Sequence, residues 1–301
     1  MKKVAIILCI AFIAISFADV TSFIDGSRRG IMLFGQNVLP VLFPFFFVTS
    51  MLVELDFFTM FRRLGKNAPI WCLSTLGGYP TGARIIAELY TNGKLTRTQA
   101  IKISTSTTTV SPIFIIATIG ICFLGSAKLG AILFGCHILS AILNGFIYRK
   151  VNFVESNITR TSSTTLLLNT GNLRNSLNTN SNKDISDIIS NSLYSAIQNI
   201  LMVGGIIIIF FIVINQIQNV LGVESIIFGL FELTNGVIMT KNLVLLSAII
   251  SFGGIAIAMQ GLLFFKTFRM PFWFYLTYKT THAILAVVLC IITLNLFILS
   301  S

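Results

Sequence analysis

The chain has 301 residues, of which 55% are hydrophobic and 10% charged, with a mean hydropathy of +0.89. A soluble domain carries about 25% charged residues, so this composition excludes an ordinary water-soluble fold and puts most of the chain in lipid. The net charge of +11 does not mark a nucleic-acid partner, because the cations sit at the ends of apolar segments, as the positive-inside bias predicts.

Apolar stretches near the roughly 20 residues that cross a hydrocarbon core recur at 4–18, 34–55, 103–124, 129–148, 197–218, 243–265 and 271–298. The first, MKKVAIILCIAFIAISFA, is compatible with a secretory signal and with an uncleaved first helix; the second reading is preferred, and both start the amino end in the cytoplasm. Residues 19–29 then form a short external loop. The next span returns to Arg62, Arg63 and Lys66. The 70–90 region must dip in and come back on the same side, because a full crossing would put Lys94, Arg97 and Lys102 on the wrong face. Spans 103–124 and 129–148 go out and back to Arg149 and Lys150, and 243–265 returns to Lys266 and Arg269. Only Arg28, Arg29, Lys128 and Lys241 fall outside in the short loops.

Residues 152–190 are more than half Ser, Thr and Asn, and cannot bury enough apolar area to offset their ordering entropy. They read as a flexible cytoplasmic linker. The expected divisions are 1–29 (signal-anchor helix and loop), 30–150 (first membrane half), 151–191 (linker) and 192–301 (second half). Gln36-Asn37-Val38-Leu39 and Gln198-Asn199-Ile200-Leu201 open long helices in the two halves, and the pairs Gly77-Gly78 and Gly253-Gly254 follow. Entering from opposite sides, the halves would be inverted repeats, a common transporter plan. The expected fold is an all-α polytopic membrane protein of two inverted-repeat halves with re-entrant helical hairpins.

Five stretches could carry chemistry. In GGYPTGAR, 77–84, Pro80 marks a helix start running to about Tyr90, and non-helical backbone at this depth must be buried in protein or line a wet cavity. The free backbone N–H groups at the tip of that helix make an anion site, to which Arg84 adds a full charge, so the 78–82 backbone and Arg84 would hold the solute. The competing reading is close helix packing by the glycines and an Arg84–Glu88 pair. Ser104 to Ser111, STSTTTVS, precedes Pro112. Hydroxyls can repair a proline break, but seven exceed that need, so Ser104, Thr107, Thr108 and Ser111 read as cavity lining. Glu232 and Asn235 lie one helical turn apart. Gly253-Gly254 weaken a helix centre, and Gln260 supplies an amide. Lys279 and His282 are i and i+3 in the last span, where ionisable groups usually face a cavity or partner. His137 reads as a packed, hydrogen-bonded residue.

No nucleophile, base and orienting group recur at catalytic spacing, so no enzyme is expected. The five cysteines are scattered singly, which gives neither a disulfide framework nor a metal site; no metal or other cofactor is expected.

The order LPVLFPFFF (39–47), GGYPTGAR (77–84), SPIFIIATIG (111–120), FELTNG (231–236), SFGGIAIAMQ (251–260) and His282-Ala283 resembles the sporulation integral membrane proteins built on the nucleoside-recognition, or Gate, domain. Related Gate domains occur in concentrative nucleoside and ferrous-iron transporters. The resemblance implies a multi-pass bacterial permease in the cell or forespore membrane, moving a small polar or anionic solute, with dipicolinate as the solute in the sporulation branch. It carries Gly77, Gly78, Pro80, Thr81 and Gly82 onto the first hairpin motif and Gln260 onto the second-half motif. Expected partners are the lipid bilayer and the solute; a coupling ion and a homo-oligomer fit the plan, nucleic acid does not. The rival is a non-transporting spore-envelope scaffold or signalling protein that docks through the linker.

Overall fold

The computed structural model describes residues 2–55, 57, 67–153, 184–222 and 229–299, and every regular element among them is helical. Arg62, Arg63, Lys66, most of the 151–191 linker and the side chains of Lys2, Asn37 and Asn235 lie outside the described residues.

Helix α1 (Lys2–Ala18) meets α2 (Val20–Leu33) at an elbow of 108°. Asp19 makes the elbow a fresh helix start, since its carboxylate accepts the Ser22 N–H at 3.0 Å. The loop expected over 19–29 is therefore helix from Val20. It continues through one wide π turn (Phe34–Val38) into α3 (Leu39–Glu54), a rod of about 50 Å. The rod runs antiparallel to α9 (Ile185–Leu221), whose first turns occupy the expected end of the linker. At one end Asn215 Nδ2 donates to the Ser22 carbonyl at 2.7 Å. Next along, Gly26 lets the backbones touch: a Cβ there would lie 2.8 Å from Ile212 Cα. Further on, Leu42 and Phe46 bury against Ala196, Ile200, Val203 and Ile207.

The π turn keeps this seam in register. Gly30 and Leu42 are twelve positions apart, about 120° out of phase in a straight α-helix; the extra residue of a π turn reduces that to about 20°.

Against this pair sits a helical hairpin, α4 (Ala68–Gly77) and α5 (Thr81–Thr91), joined by the tip Gly78-Tyr79-Pro80, whose Tyr79–Pro80 bond is cis. Each arm is about 15 Å long, half a hydrocarbon core. A capping box, Thr96 with Gln99, starts α6 (Arg97–Thr107). The span expected over 103–124 is broken. Thr108 to Ser111 are non-helical, and α7 (Ile113–Phe123) is wound throughout as a π-helix. Pro112, which has no N–H to give, stands at its start. Then follow α8 (Ala127–Tyr148), α9, the short α10 (Leu233–Ile238), α11 (Leu243–Phe252), α12 (Gly254–Phe265) and α13 (Phe272–Leu299).

Among the described residues, four helical stretches are long and apolar enough to cross a membrane: Ala127–Tyr148, Ile185–Val220, Leu243–Phe268 (α11 and α12 run together through the Gly253 break) and Phe272–Leu296. The bent pair α1–α2 adds a fifth if it counts as one span. The chain is thus an all-α polytopic membrane protein. Arg97, Lys102 and the loop carrying Lys266 and Arg269 gather with residues 152–153 at one end of the bundle. Arg97 donates to the carbonyls of Phe268 and Arg269 at 3.1 and 3.0 Å, Lys102 to Asn152 at 3.1 Å, and Thr98 to the Phe153 carbonyl at 2.9 Å.

Candidate functional site

The hairpin tip, the 108–111 break and the Gly253-Gly254 break meet at one point. Gly78 adopts φ 67° and ψ −163°, a conformation essentially reserved to glycine, and a Cβ there would lie 2.7 Å from Ser111 N. At Gly82 a Cβ would lie 2.5 Å from the Thr107 carbonyl oxygen, so the first turn of α5 lies directly on the end of α6. Tyr79 reaches past both, its hydroxyl 3.3 Å from where a Gly253 Cβ would be. Over the second break, Ala256 N–H donates to the Phe231 carbonyl at 2.8 Å, which holds the 229–231 backbone against Gly254.

Ending α6 at Thr107 frees carbonyls that need donors, and each is met from a different direction. Thr108 Oγ1 donates to the Ser104 carbonyl at 3.1 Å, Asn144 Nδ2 to the Thr105 carbonyl at 2.9 Å, and Lys279 Nζ to the Thr108 carbonyl at 3.2 Å. Asn144 also donates to the Tyr278 carbonyl at 3.0 Å and accepts from Thr281 at 2.7 Å, which binds α8 to α13 beside the break.

Behind the tip lies a buried polar network. Lys279, 0% exposed, donates to the Tyr79 hydroxyl, stands 4.7 Å from that ring's centroid and approaches His282 Nδ1 at 3.5 Å. His282 Nε2 faces the His137 carbonyl at 3.1 Å, and the two imidazoles lie with centroids 4.9 Å apart, their planes tilted by 36°. His137 accepts the Val110 N–H on Nε2 at 2.9 Å and bonds Ser251 Oγ through Nδ1 at 2.8 Å. Below the tip is a cavity of about 10 Å³, lined by Gly78, Gly82, Thr107, Thr108, Phe265 and Tyr275 among others, room for about one water. The buried Tyr275 hydroxyl at its wall has no partner among the described residues.

Of the residues singled out in the sequence, Gly78, Pro80, Gly82, Thr107 and Thr108 line this cavity; Lys279 and His282 bond within the network, and Ser111 abuts Gly78. Thr81 closes the tip by donating to the Gly77 carbonyl at 3.2 Å. Ser104 instead returns its bond to the Ala100 carbonyl at 2.8 Å, as do Thr105, Thr107 and Thr108 to their preceding turns.

Arg84 points away from the cavity, toward α3 and α9. It pairs with Glu88 at 2.7 Å and donates to the Phe46 carbonyl at 2.6 Å, to Thr49 at 3.2 Å, to Ser195 at 3.2 Å and to Ser50. Glu232 accepts from Thr234 at 3.1 Å beside the second break, and Gln260 is buried within α12. The residues that sequence reasoning missed are Tyr79, Ser251, Tyr275 and Tyr278, with His137 underrated. Tyr79 sat inside the quoted motif, but its partner lies 200 positions away.

No protein-family model matches the chain, and no solved structure matches it. It is similar to the sporulation integral membrane protein YlbJ of Bacillus subtilis (strain 168), with 23% identity over 308 residues covering 86% of this chain and 76% of the relative. Taken with its apolar helices, that similarity makes the chain an integral membrane homologue of a sporulation protein.

Proposed function

We propose that the chain is a Gate-type permease for a small polar or anionic solute, with dipicolinate as the first solute to test. One observation carries this reading: a hairpin tip and two helix breaks converge on a buried lysine that no carboxylate bonds to among the described residues. Broken helices meeting at mid-depth are where secondary carriers hold their cargo, and an intramembrane cation ordinarily marks the path of a charged solute. Backbone 78–82, Thr107 and Thr108 would form the walls, Lys279 the counter-charge, and withdrawal of the hairpin would open the site. Arg84 positions the hairpin on α3 and α9 and does not touch the solute. The two halves would act as inverted repeats, with the basic end in the cytoplasm.

The test is uptake of labelled dipicolinate and of purine and pyrimidine nucleosides into proteoliposomes. Wild type should accumulate one of them, and Lys279→Met should abolish that uptake while eluting as a monodisperse protein. Uptake of none, or full uptake by Lys279→Met, would defeat the proposal. The small volume of the cavity favours a second reading, a non-transporting spore-envelope scaffold. Deleting residues 154–183 separates the two: a permease whose halves pack directly through α3 and α9 keeps its uptake, whereas a scaffold docking through that segment loses its partner.

A further inference from the structure

An ammonium has three hydrogens to donate, and the crossing offers Lys279 three acceptors: the Tyr79 hydroxyl, the Thr108 carbonyl at 3.2 Å and His282 Nδ1 at 3.5 Å. No carboxylate bonds to Lys279, His282 or His137 among the described residues, and Glu88 pairs with Arg84 on the side of the hairpin facing α3 and α9. The bonding pattern also fixes both rings. His137 Nε2 accepts a backbone N–H, so its hydrogen sits on Nδ1, toward Ser251. His282 Nε2 faces a carbonyl, so that nitrogen carries the hydrogen and Nδ1 keeps its lone pair. That lone pair is the one base in contact with the ammonium; a carbonyl and a phenol hydroxyl are far weaker proton acceptors.

We infer that the crossing binds one exchangeable proton, shared between Lys279 Nζ and His282 Nδ1, and that this proton is the co-substrate of the transport proposed above. Transfer breaks one N–H bond of the ammonium and forms one at Nδ1. It leaves a neutral amine and an imidazolium whose Nε2–H stays on the His137 carbonyl. The hairpin tip is part of the site, because Tyr79 supplies both an acceptor and a cation-facing ring. Withdrawing the tip removes both, so tip position and proton occupancy bias one another by linkage.

Among the described residues, the titratable groups around the pair are Tyr79 from the tip, His137 from α8, and Tyr275 and Tyr278 from α13, with the buried Glu232 carboxylate beside the Gly253-Gly254 break. The 108–111 break contributes the Thr108 carbonyl, and α11 the Ser251 hydroxyl, which bonds His137.

The co-substrate role rests on the permease reading; the proton site does not, and the two are tested apart. Full-length protein in lipid nanodiscs, with 15N-labelled lysine and histidine, is titrated between about pH 5 and 10 by NMR. Lys279 Nζ and the His282 ring should change together with one midpoint, while His137 keeps its Nδ1–H form. Separate midpoints, or one form of either group throughout, would overturn the site. In proteoliposomes with dipicolinate as the probe, an inward acid gradient of one pH unit is worth a factor of up to about ten in accumulation for one proton. Wild type should show that gain and His282→Gln a ratio near one. Equal accumulation with and without the gradient would overturn co-transport. Joint titration without any uptake would overturn the permease reading and co-transport, and leave the proton site standing.

Discussion

Residues at the crossing are held by steric and electrostatic limits that single substitutions can probe. Gly78→Ala forces a Cβ onto Ser111 N in a backbone region closed to alanine, and should cost about 3 kcal/mol. Gly135→Ala, in α8 with nothing within 4 Å of the added methyl, should be neutral or stabilise by up to about 1 kcal/mol. Melting temperatures of the two in detergent would check the contrast. Arg84→Ala strands the Glu88 carboxylate and four acceptors, and should lower stability by about 3–5 kcal/mol, with the double change Arg84→Met, Glu88→Met recovering part of the loss. A loss of uptake at unchanged melting temperature would instead put Arg84 at the solute. Lys279 and His282 were legible in the sequence because ionisable groups deep in an apolar span need a reason to be there. Tyr79 was not, because a tyrosine after two glycines is as good a packing residue as a ligand until the chain brings Lys279 to it.

At the scale of elements, the breaks were legible and the windings were not. Glycines free to take positive φ and a proline lacking its N–H announce where a helix stops, as in Gly78, Gly253 and Pro112. Nothing in IFIIATIGICF separates a π-helix from an α-helix, since both use the same residue types and differ in which carbonyl each N–H finds. The seven hydroxyls of 104–111 suggested a wet lining, but most return their bonds to the turn before, which the spacing alone could not decide.

The α2–α9 seam gives a direct test: Gly26→Leu should separate two backbones in contact, whereas Gly205→Leu has open space around it. Size-exclusion profiles should show only the first falling apart. The elbow titrates. Hydrogen bonds from the Ser22 backbone, and after it from the Ser22 and Asn219 side chains, hold the Asp19 carboxyl below its usual range. Its stabilising contribution is present above about pH 4 and is lost as pH falls through the lowered folded value. Asp19→Asn should flatten that acid-side loss of melting temperature.

For the whole molecule, the sequence offers seven candidate spans, the first short and the last unusually long. The described fold has four long helical stretches, one of them broken at Gly253, an elbowed pair that adds a fifth only if it counts as one span, and several apolar helices too short to cross alone. Hydropathy counts apolar length, and so cannot separate a crossing helix from two half-length pieces stacked end to end. Charge was the better guide. The need to keep Lys94, Arg97 and Lys102 with Arg149 and Arg269 forced a turn-back at 70–90, and the short-armed hairpin lies there. In a cysteine-free background, Asn67→Cys and Lys94→Cys should react with an impermeant maleimide from the same side of the membrane. Reaction from opposite sides would make α4 and α5 a crossing.

The Val110 amide closes on an imidazole nitrogen, not on a carbonyl. Were that ring to take up a second hydrogen, the amide would lose its acceptor and begin to exchange with deuterated solvent. One backbone position, in the chain as it stands, therefore serves as a spectator of His137 alone: with the proton confined to Lys279 and His282 it stays protected, and deuterium uptake there would mark charge reaching that ring.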